Sequence, residues 1–377
     1  MIRCTKCVIP DSRPDTEFVD GVCSACLAYK EWYQVDLTAR YNQLLDLLER
    51  NKGGEYDCIV ASSGGKDSTY IVLKLLELGV RPLVVTATTC HLTDIGRRNI
   101  DNLSRYATTW ECTPDRRIRA LLNKIGLETV GDISWPEHIS IFTTPFKIAA
   151  LTGIKLIFFG ECPQNAYGGP RASQDASQLT RRWRSEYGGF LGLRPTDLIG
   201  QYGITEADMQ DYILPPMEQI EGQGIEAHFL GHYLPWDSHY NARQALEAGM
   251  IQVLPCESNW WVGENLDNAQ TGIHDHMMYR KYGYGRCAAQ VSVDIRQGIL
   301  CREKGMEIVK ERDGLFPFVY MDVGCEDMLE RINMTWTGLR DCLNQFTDWG
   351  IFMRDEVDYR PRFAEENNEQ KEIHQPT

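Results

Sequence analysis

Val60-Ala61-Ser62-Ser63-Gly64-Gly65-Lys66-Asp67-Ser68 joins two segments of different character. Before it, Asp57-Cys58-Ile59-Val60 is a short apolar run that reads as a buried strand. After it, the amphipathic stretch 67–78 predicts a helix, with Gly79 placed to end it. A strand, a glycine turn and a helix N-terminus aim free backbone N–H groups and the positive end of a helix dipole at one point. That arrangement suits a phosphate. Gly64 and Gly65 let the backbone come close to an anion where a Cβ would obstruct it. This is not a Walker loop, which needs Gly where Val60 stands and Ser or Thr where Asp67 stands. Neither Lys66 nor Asp67 occupies an apolar position, so both are expected outside the core.

Outward from this loop, strand and helix signals alternate. Strands are predicted near 82–86, 108–112 and 155–159, and helices near 96–106, 114–125 and 138–151. Such alternation predicts an α/β fold, a doubly wound parallel sheet with helices on both faces. Ligands of such sheets sit beyond the carboxyl ends of the strands. Two segments occupy that position, Ser63–Ser68 and 160–169, and they are expected to face one cleft. Glu161 is therefore a candidate for metal or substrate contact.

The chain of 377 residues is long enough for two or three domains. We divide it into a metal ribbon (1–30), a helical linker (31–55), the phosphate-loop domain (56–200), a mainly helical substrate region (201–362) and a disordered polar tail (363–377). A net charge of −14 makes a poor general binder of nucleic acid. No apolar run is long enough to span a membrane, and the N-terminus has no signal-peptide core. The expected location is cytoplasmic, where the thirteen cysteines stay reduced.

Four of those cysteines are grouped. Cys4-x2-Cys7 and Cys23-x2-Cys26, joined by turn formers such as Pro10, Pro14 and Gly21, have the spacing of a Cys4 zinc ribbon. Four thiolates leave no open position, so the zinc is expected to be structural; an iron–sulfur cluster is the alternative. Further on, Arg181, Arg182 and Arg184 surround Trp183. Planar guanidinium groups suit a phosphate or carboxylate, and a solvated basic face is the bland reading. In Ile273–Arg286, His274 and His276 point to different faces of a helix, which argues against a helical metal pair. That segment reads as the polar wall of a substrate pocket or as ordinary packing.

Ser-Gly-Gly-Lys-Asp-Ser resembles the pyrophosphate loop of ATP pyrophosphatases. Together with the ribbon cysteines, Ile95–Asn99, Trp135-Pro136, Gly160-Glu161, Pro163-Gln164-Asn165, Arg181–Arg184, Trp236-Asp237, His274-Asp275, Tyr282–Arg286 and Asp294–Arg296, it makes the chain resemble the bacterial N-acetyl sugar amidotransferases of surface-polysaccharide and flagellar-sugar biosynthesis. The resemblance covers roughly residues 1–360. It departs from the family pattern at Cys162, Ala166 and His232, where Asn, Glu and an acidic residue are usual.

The resemblance implies a sheet of the adenine nucleotide alpha hydrolase type. It also implies conversion of a sugar acetamido group to an acetamidino group using ATP and Mg²⁺, with ammonia from a partner glutaminase. Ser63, Gly64, Gly65, Lys66, Asp67 and Ser68 would hold ATP, with Lys66, Asp67 and Glu161 catalytic. Asp67 would help hold Mg²⁺, and a helix cap is its alternative role. Gln164, Asn165, Arg181, Arg182, Arg184, His274, Asp275 and Arg286 are candidates for an N-acetylated sugar that is nucleotide-linked or acidic. The rival reading is a sulfur transferase acting on tRNA or a small molecule. The acidic charge and the lack of a catalytic cysteine pair outside the ribbon speak against it.

Overall fold

The computed structural model describes residues 1–14, 16–32, 34–160, 177–253 and 256–364. At its centre lies a five-stranded sheet: β1 (Cys58–Ala61), β2 (Pro82–Ala87), β3 (Thr109–Cys112), β4 (Leu156–Phe159) and β5 (Glu226–Phe229). The spatial order is β3-β2-β1-β4-β5 and every pairing is parallel. The strand period of two sorts the side chains onto opposite faces. Cys58 and Val60 face a core with Leu44, Ile71, Leu75 and Phe158, while Ile59 faces one with Leu83, Phe146, Ile157 and Phe229.

Helices cover both faces. α1 (Ser24–Trp32) and α2 (Leu37–Asn51) precede the sheet, and α3 (Lys66–Glu77) follows β1. α4 (Asp94–Leu103), α5 (Arg116–Val130) and α6 (Trp135–Thr152) come next, followed by the short α7 (Arg181–Tyr187) and by α8 (Ser238–Glu247). Thr93 and Asp115 start α4 and α5 by accepting from first-turn N–H groups, as N-caps do. α2 and α3 pack on one face and α6 on the other.

β1 is followed by excursions in opposite directions, to β2 and β3 on one side and to β4 and β5 on the other. The crevice at the carboxyl ends of β1 and β4 is therefore a topological switch point.

The C-terminal region is mainly helical: α9 (Thr271–Tyr282), α10 (Arg286–Arg296), α11 (Arg302–Arg312), α12 (Cys325–Arg331) and α13 (Trp336–Phe346), with a closing hairpin Phe352–Val357/Arg360–Phe363. The cysteine ribbon does not simply hang from the linker. Val8 and Ile9 share a core with Tyr284, Val291 and Val309, so the ribbon packs on α10 and α11.

Two sequence divisions need correcting. A boundary at residue 200 cuts the sheet, because β5 lies beyond it. Glu-Ala-His-Phe is only four residues long and half polar, which conceals the strand signal. Phe363, placed in the tail, ends the closing hairpin, while 365–377 lie outside the described residues.

Candidate phosphate-loop site and its neighbours

The loop after β1 holds itself open through its serines. Ser62 Oγ donates to Ser68 Oγ at 2.9 Å and accepts from the Gly64 N–H at 3.0 Å. Ser68 Oγ in turn donates to the Gly65 carbonyl at 3.2 Å. Gly64 has φ +80°, and a Cβ there would lie 2.8 Å from the Ile100 nitrogen. Glycine is thus required twice, by conformation and by the close approach of α4. Gly65 is the N-cap of α3 and brings no side chain to it, which leaves the helix N-terminus to an anion.

Lys66, expected outside the core, is only 6% exposed. Its Nζ lies 2.6 Å from Asp67 Oδ2, 3.0 Å from Glu264 Oε2 and 5.7 Å from the centre of the Trp261 ring. Burial alone would lower its pKa, but the Asp67 and Glu264 carboxylates outweigh burial and hold it above the usual lysine value. Lys66 is therefore a permanent cation. Asp67 is no helix cap: its Oδ1 accepts from Asn241 Nδ2 of α8 at 3.0 Å and its Oδ2 from Lys66.

Lys66 and Asp67 line a cavity of about 240 Å³ with the rest of the loop, Gly160, Gly96, Glu137 and the 263–267 segment. Gly96 matters because a Cβ would sit 2.6 Å from Asp267 Cα. Burial pushes the Asp267 carboxyl up to about 6, helped by the charges of Glu264 and Glu137. Glu137 is tied down by Arg119 at 3.1 Å and Asn123 at 2.7 Å. Asp67 and Glu264 offer hard oxygen donors at the mouth of the phosphate loop, a donor set that fits Mg²⁺.

Behind Trp261 stands a support no single motif announces. Buried Asp294 accepts from Trp260 Nε1 at 2.8 Å and from Trp261 Nε1 at 3.0 Å, and its Oδ1 lies 2.7 Å from His239 Nε2. Trp261 and α8, which also carries Asn241, are thereby fixed against the loop.

Among the described residues, the remaining candidates do not line this cavity. Glu161, Gln164 and Asn165 lie outside the described residues, as do Cys162 and Ala166. Arg181 and Arg182 are exposed at the start of α7, which Trp183 anchors in the core against Phe142 and Phe229. Arg184 is half-buried over the Phe190 ring, and its Nε has no hydrogen-bond partner among the described residues. Burial and the Arg181 charge lower its pKa to about 10. Asp275 and Arg286 pair with each other, the guanidinium Nη2 lying 2.9 Å and Nε 3.1 Å from the carboxylate. His274 turns away from His276 and bonds Asp132 Oδ1 at 2.8 Å. His276 is buried against Phe316 and the Gly314 carbonyl.

At the N-terminus, Cys4, Cys7, Cys23 and Cys26 bring their sulfurs within 4.8 Å of one another. Cys7 and Cys23 sulfurs are 3.6 Å apart and those of Cys4 and Cys26 4.0 Å. Zinc–sulfur bonds of ~2.3 Å in a tetrahedron require an S···S edge of about 3.8 Å. The four residues therefore fit zinc. Backbone N–H groups of Lys6 and Cys23 point at Cys4 Sγ, at 3.4 and 3.3 Å. Arg302 Nε donates to the carbonyls of Cys4 and Cys7, both at 3.0 Å, and locks the first knuckle onto α11.

Glu264, Asp267, Asn241, Asp132 and His138 were absent from the sequence candidates. Gly263 beside Glu264 and Gly131 beside Asp132 offered turn signals, and both have positive φ.

Residues 257–364 match the family described as "LPS biosynthesis protein WbpG-like, C-terminal domain". That segment carries Glu264, Asp267, His274, Asp275, Arg286 and Asp294. No curated protein matches the chain. Among solved structures it is similar to NMN synthetase from Francisella tularensis, at 12% identity and a TM-score of 0.25, over 59% of this chain and 99% of that one. At that score the likeness adds nothing to the sheet order described above.

Proposed function

We propose that the protein is an ATP-dependent amidotransferase that converts the acetamido group of a sugar into an acetamidino group. The observation that carries the reading is the Ser62–Ser68 loop at the switch point, with its bare helix N-terminus and Lys66 held between Asp67 and Glu264. The match of residues 257–364 to an LPS biosynthesis domain supports a sugar as the substrate.

In this reading ATP enters as substrate with its β- and γ-phosphates on the loop. An amide is a poor electrophile, so its oxygen attacks the α-phosphorus, pyrophosphate leaves, and ammonia displaces AMP from the O-adenylyl imidate. Lys66 neutralises charge on the departing pyrophosphate, and the Ser62–Ser68 hydroxyl chain keeps the backbone donors of the loop in place. Mg²⁺ held by Asp67 and Glu264 would add charge neutralisation at the phosphates. Arg184, half-buried with a free Nε among the described residues, suits an anionic group on the sugar. Ammonia comes from a partner glutaminase in the cytoplasm.

The test uses purified protein with ATP, ammonium and acetamido sugars. It should release AMP and pyrophosphate and yield a cationic product about one mass unit lighter, NH replacing O. Glutamine alone should not serve. ADP and orthophosphate as products, or a gain of about sixteen mass units from a sulfur donor, would replace this reading with another ATPase or a thiolase.

A further inference from the structure

Asp132 follows α5, His138 lies in the first turn of α6 and His274 in the first turn of α9, yet their side chains meet. Asp132 Oδ1 is committed: it accepts from the Ser134 N–H and from His274 Nδ1, both at 2.8 Å. Oδ2 lies 3.0 Å from His138 Nδ1. That nitrogen is buried and makes no hydrogen bond among the described residues, so the contact has the distance of a hydrogen bond without its direction. The two imidazoles stand edge to face, with centres 5.0 Å apart.

Each residue presents one ligand atom, and the three atoms lie within 4.8 Å of one another. Metal–nitrogen and metal–oxygen bonds of ~2.0–2.1 Å in a tetrahedron give ligand edges of about 3.3 Å. His274 Nδ1 and His138 Nδ1 lie 2.8 and 3.0 Å from different oxygens of Asp132, so the carboxylate already stands between the two imidazoles. Nearby cations are already engaged: Arg286 grips Asp275, and Lys281 donates to the Val130 carbonyl.

We propose that Asp132, His138 and His274 bind one divalent transition-metal ion, leaving its fourth position to an oxygen ligand from water or substrate. Two imidazoles and a carboxylate form a borderline donor set that selects zinc, cobalt or nickel over magnesium. Three protein ligands with one vacancy are the pattern of reactive rather than structural zinc sites. The two imidazole rings border solvent, with 28% and 21% of their side-chain surface exposed, while His138 Nδ1 itself is buried. Glu137, the residue before His138, lines the phosphate-loop cavity.

The test is metal titration of the full chain after mild chelation that spares the four-thiolate zinc. Cobalt(II) should bind at one equivalent and give the visible d–d bands of a four-coordinate ion with no thiolate charge-transfer band, and zinc should raise total metal from about one to about two per chain. His138→Ala and His274→Ala should each weaken this binding by more than about a hundredfold, beyond what loss of an outer hydrogen bond costs. Asp132→Asn keeps the acceptor for Ser134, so it should stay folded and still lose the metal. Retention of a single metal by the native protein after zinc equilibration would overturn the proposal and leave two histidines sharing a carboxylate. Unchanged affinity in folded Asp132→Asn would overturn it equally.

Discussion

The phosphate loop and the Asp132–His138–His274 cluster are built by opposite routes. In the loop, seven consecutive residues set the backbone turn, and the serine hydroxyls bond within it. In the cluster, the closest partners are separated by 142 positions and meet only because the fold brings the turn after α5 to the first turn of α9. A local motif carries its geometry in its own backbone, so spacing alone reveals it. A composite site borrows its geometry from the packing of helices whose sequences show no sign of each other.

The ribbon is local in the same sense, and removing one of its thiols is the largest effect we expect. Cys23 is fully buried, and Cys23→Ser should release about one zinc per chain and lower the melting temperature by about 10 °C or more, because binding energy here is folding energy. Metal analysis and calorimetry read both. Full zinc content with an unchanged melting curve would show that the knuckle spacing misled us.

Next in size is Lys66→Met, which keeps the stem under Trp261 and removes the charge. Turnover should fall on the order of 10²–10³-fold, the usual cost of losing one preorganised charge at a developing anion. The melting temperature should fall as well, since Asp67 and Glu264 are left facing each other without their counter-ion. A rate within about threefold of the native protein would remove Lys66 from the chemistry.

How much was legible follows the same division. β1, β2, β3 and β4 were each anticipated to within a residue or two, β1, β2 and β4 because they are buried runs of mainly apolar residues, although β3 at the sheet edge exposes Trp110 and Glu111. β5 was missed because Glu226 and His228 interrupt it; His228 stays buried by meeting Tyr233 at 2.7 Å and Glu226 at 3.1 Å. The loop residues were found, but not the burial of Lys66, since a charged residue at a helix start gives no hint of Glu264 almost two hundred positions away. Arg286 was read as a substrate ligand on its charge, and the fold spends that charge on Asp275. Charge was visible in sequence; its partner was not.

The smallest effect tests whether the loop is as self-contained as its sequence suggests. His239 joins Asp294, and Asp294 holds Trp261 against Lys66. The Asp294 hydrogen bond raises the His239 pKa above 6.5, against burial and the Lys66 charge. A raised folded-state pKa means the stabilisation is complete below the unfolded value of about 6.5 and is lost as pH rises through the higher folded value. His239 is 39% exposed on its side chain, so solvent screening holds the contribution to about 0.5 kcal/mol. The native protein should therefore lose slightly more stability than His239→Gln between about pH 6 and pH 8, measured by denaturant unfolding at closely spaced pH values. Removing the imidazolium should also loosen Trp261 and raise KM for ATP modestly at low pH, with no difference between the proteins at high pH. Parallel stability curves and identical KM profiles would show that the loop stands without its composite support, and the contrast between local and composite sites would then be sharper than the structure suggests.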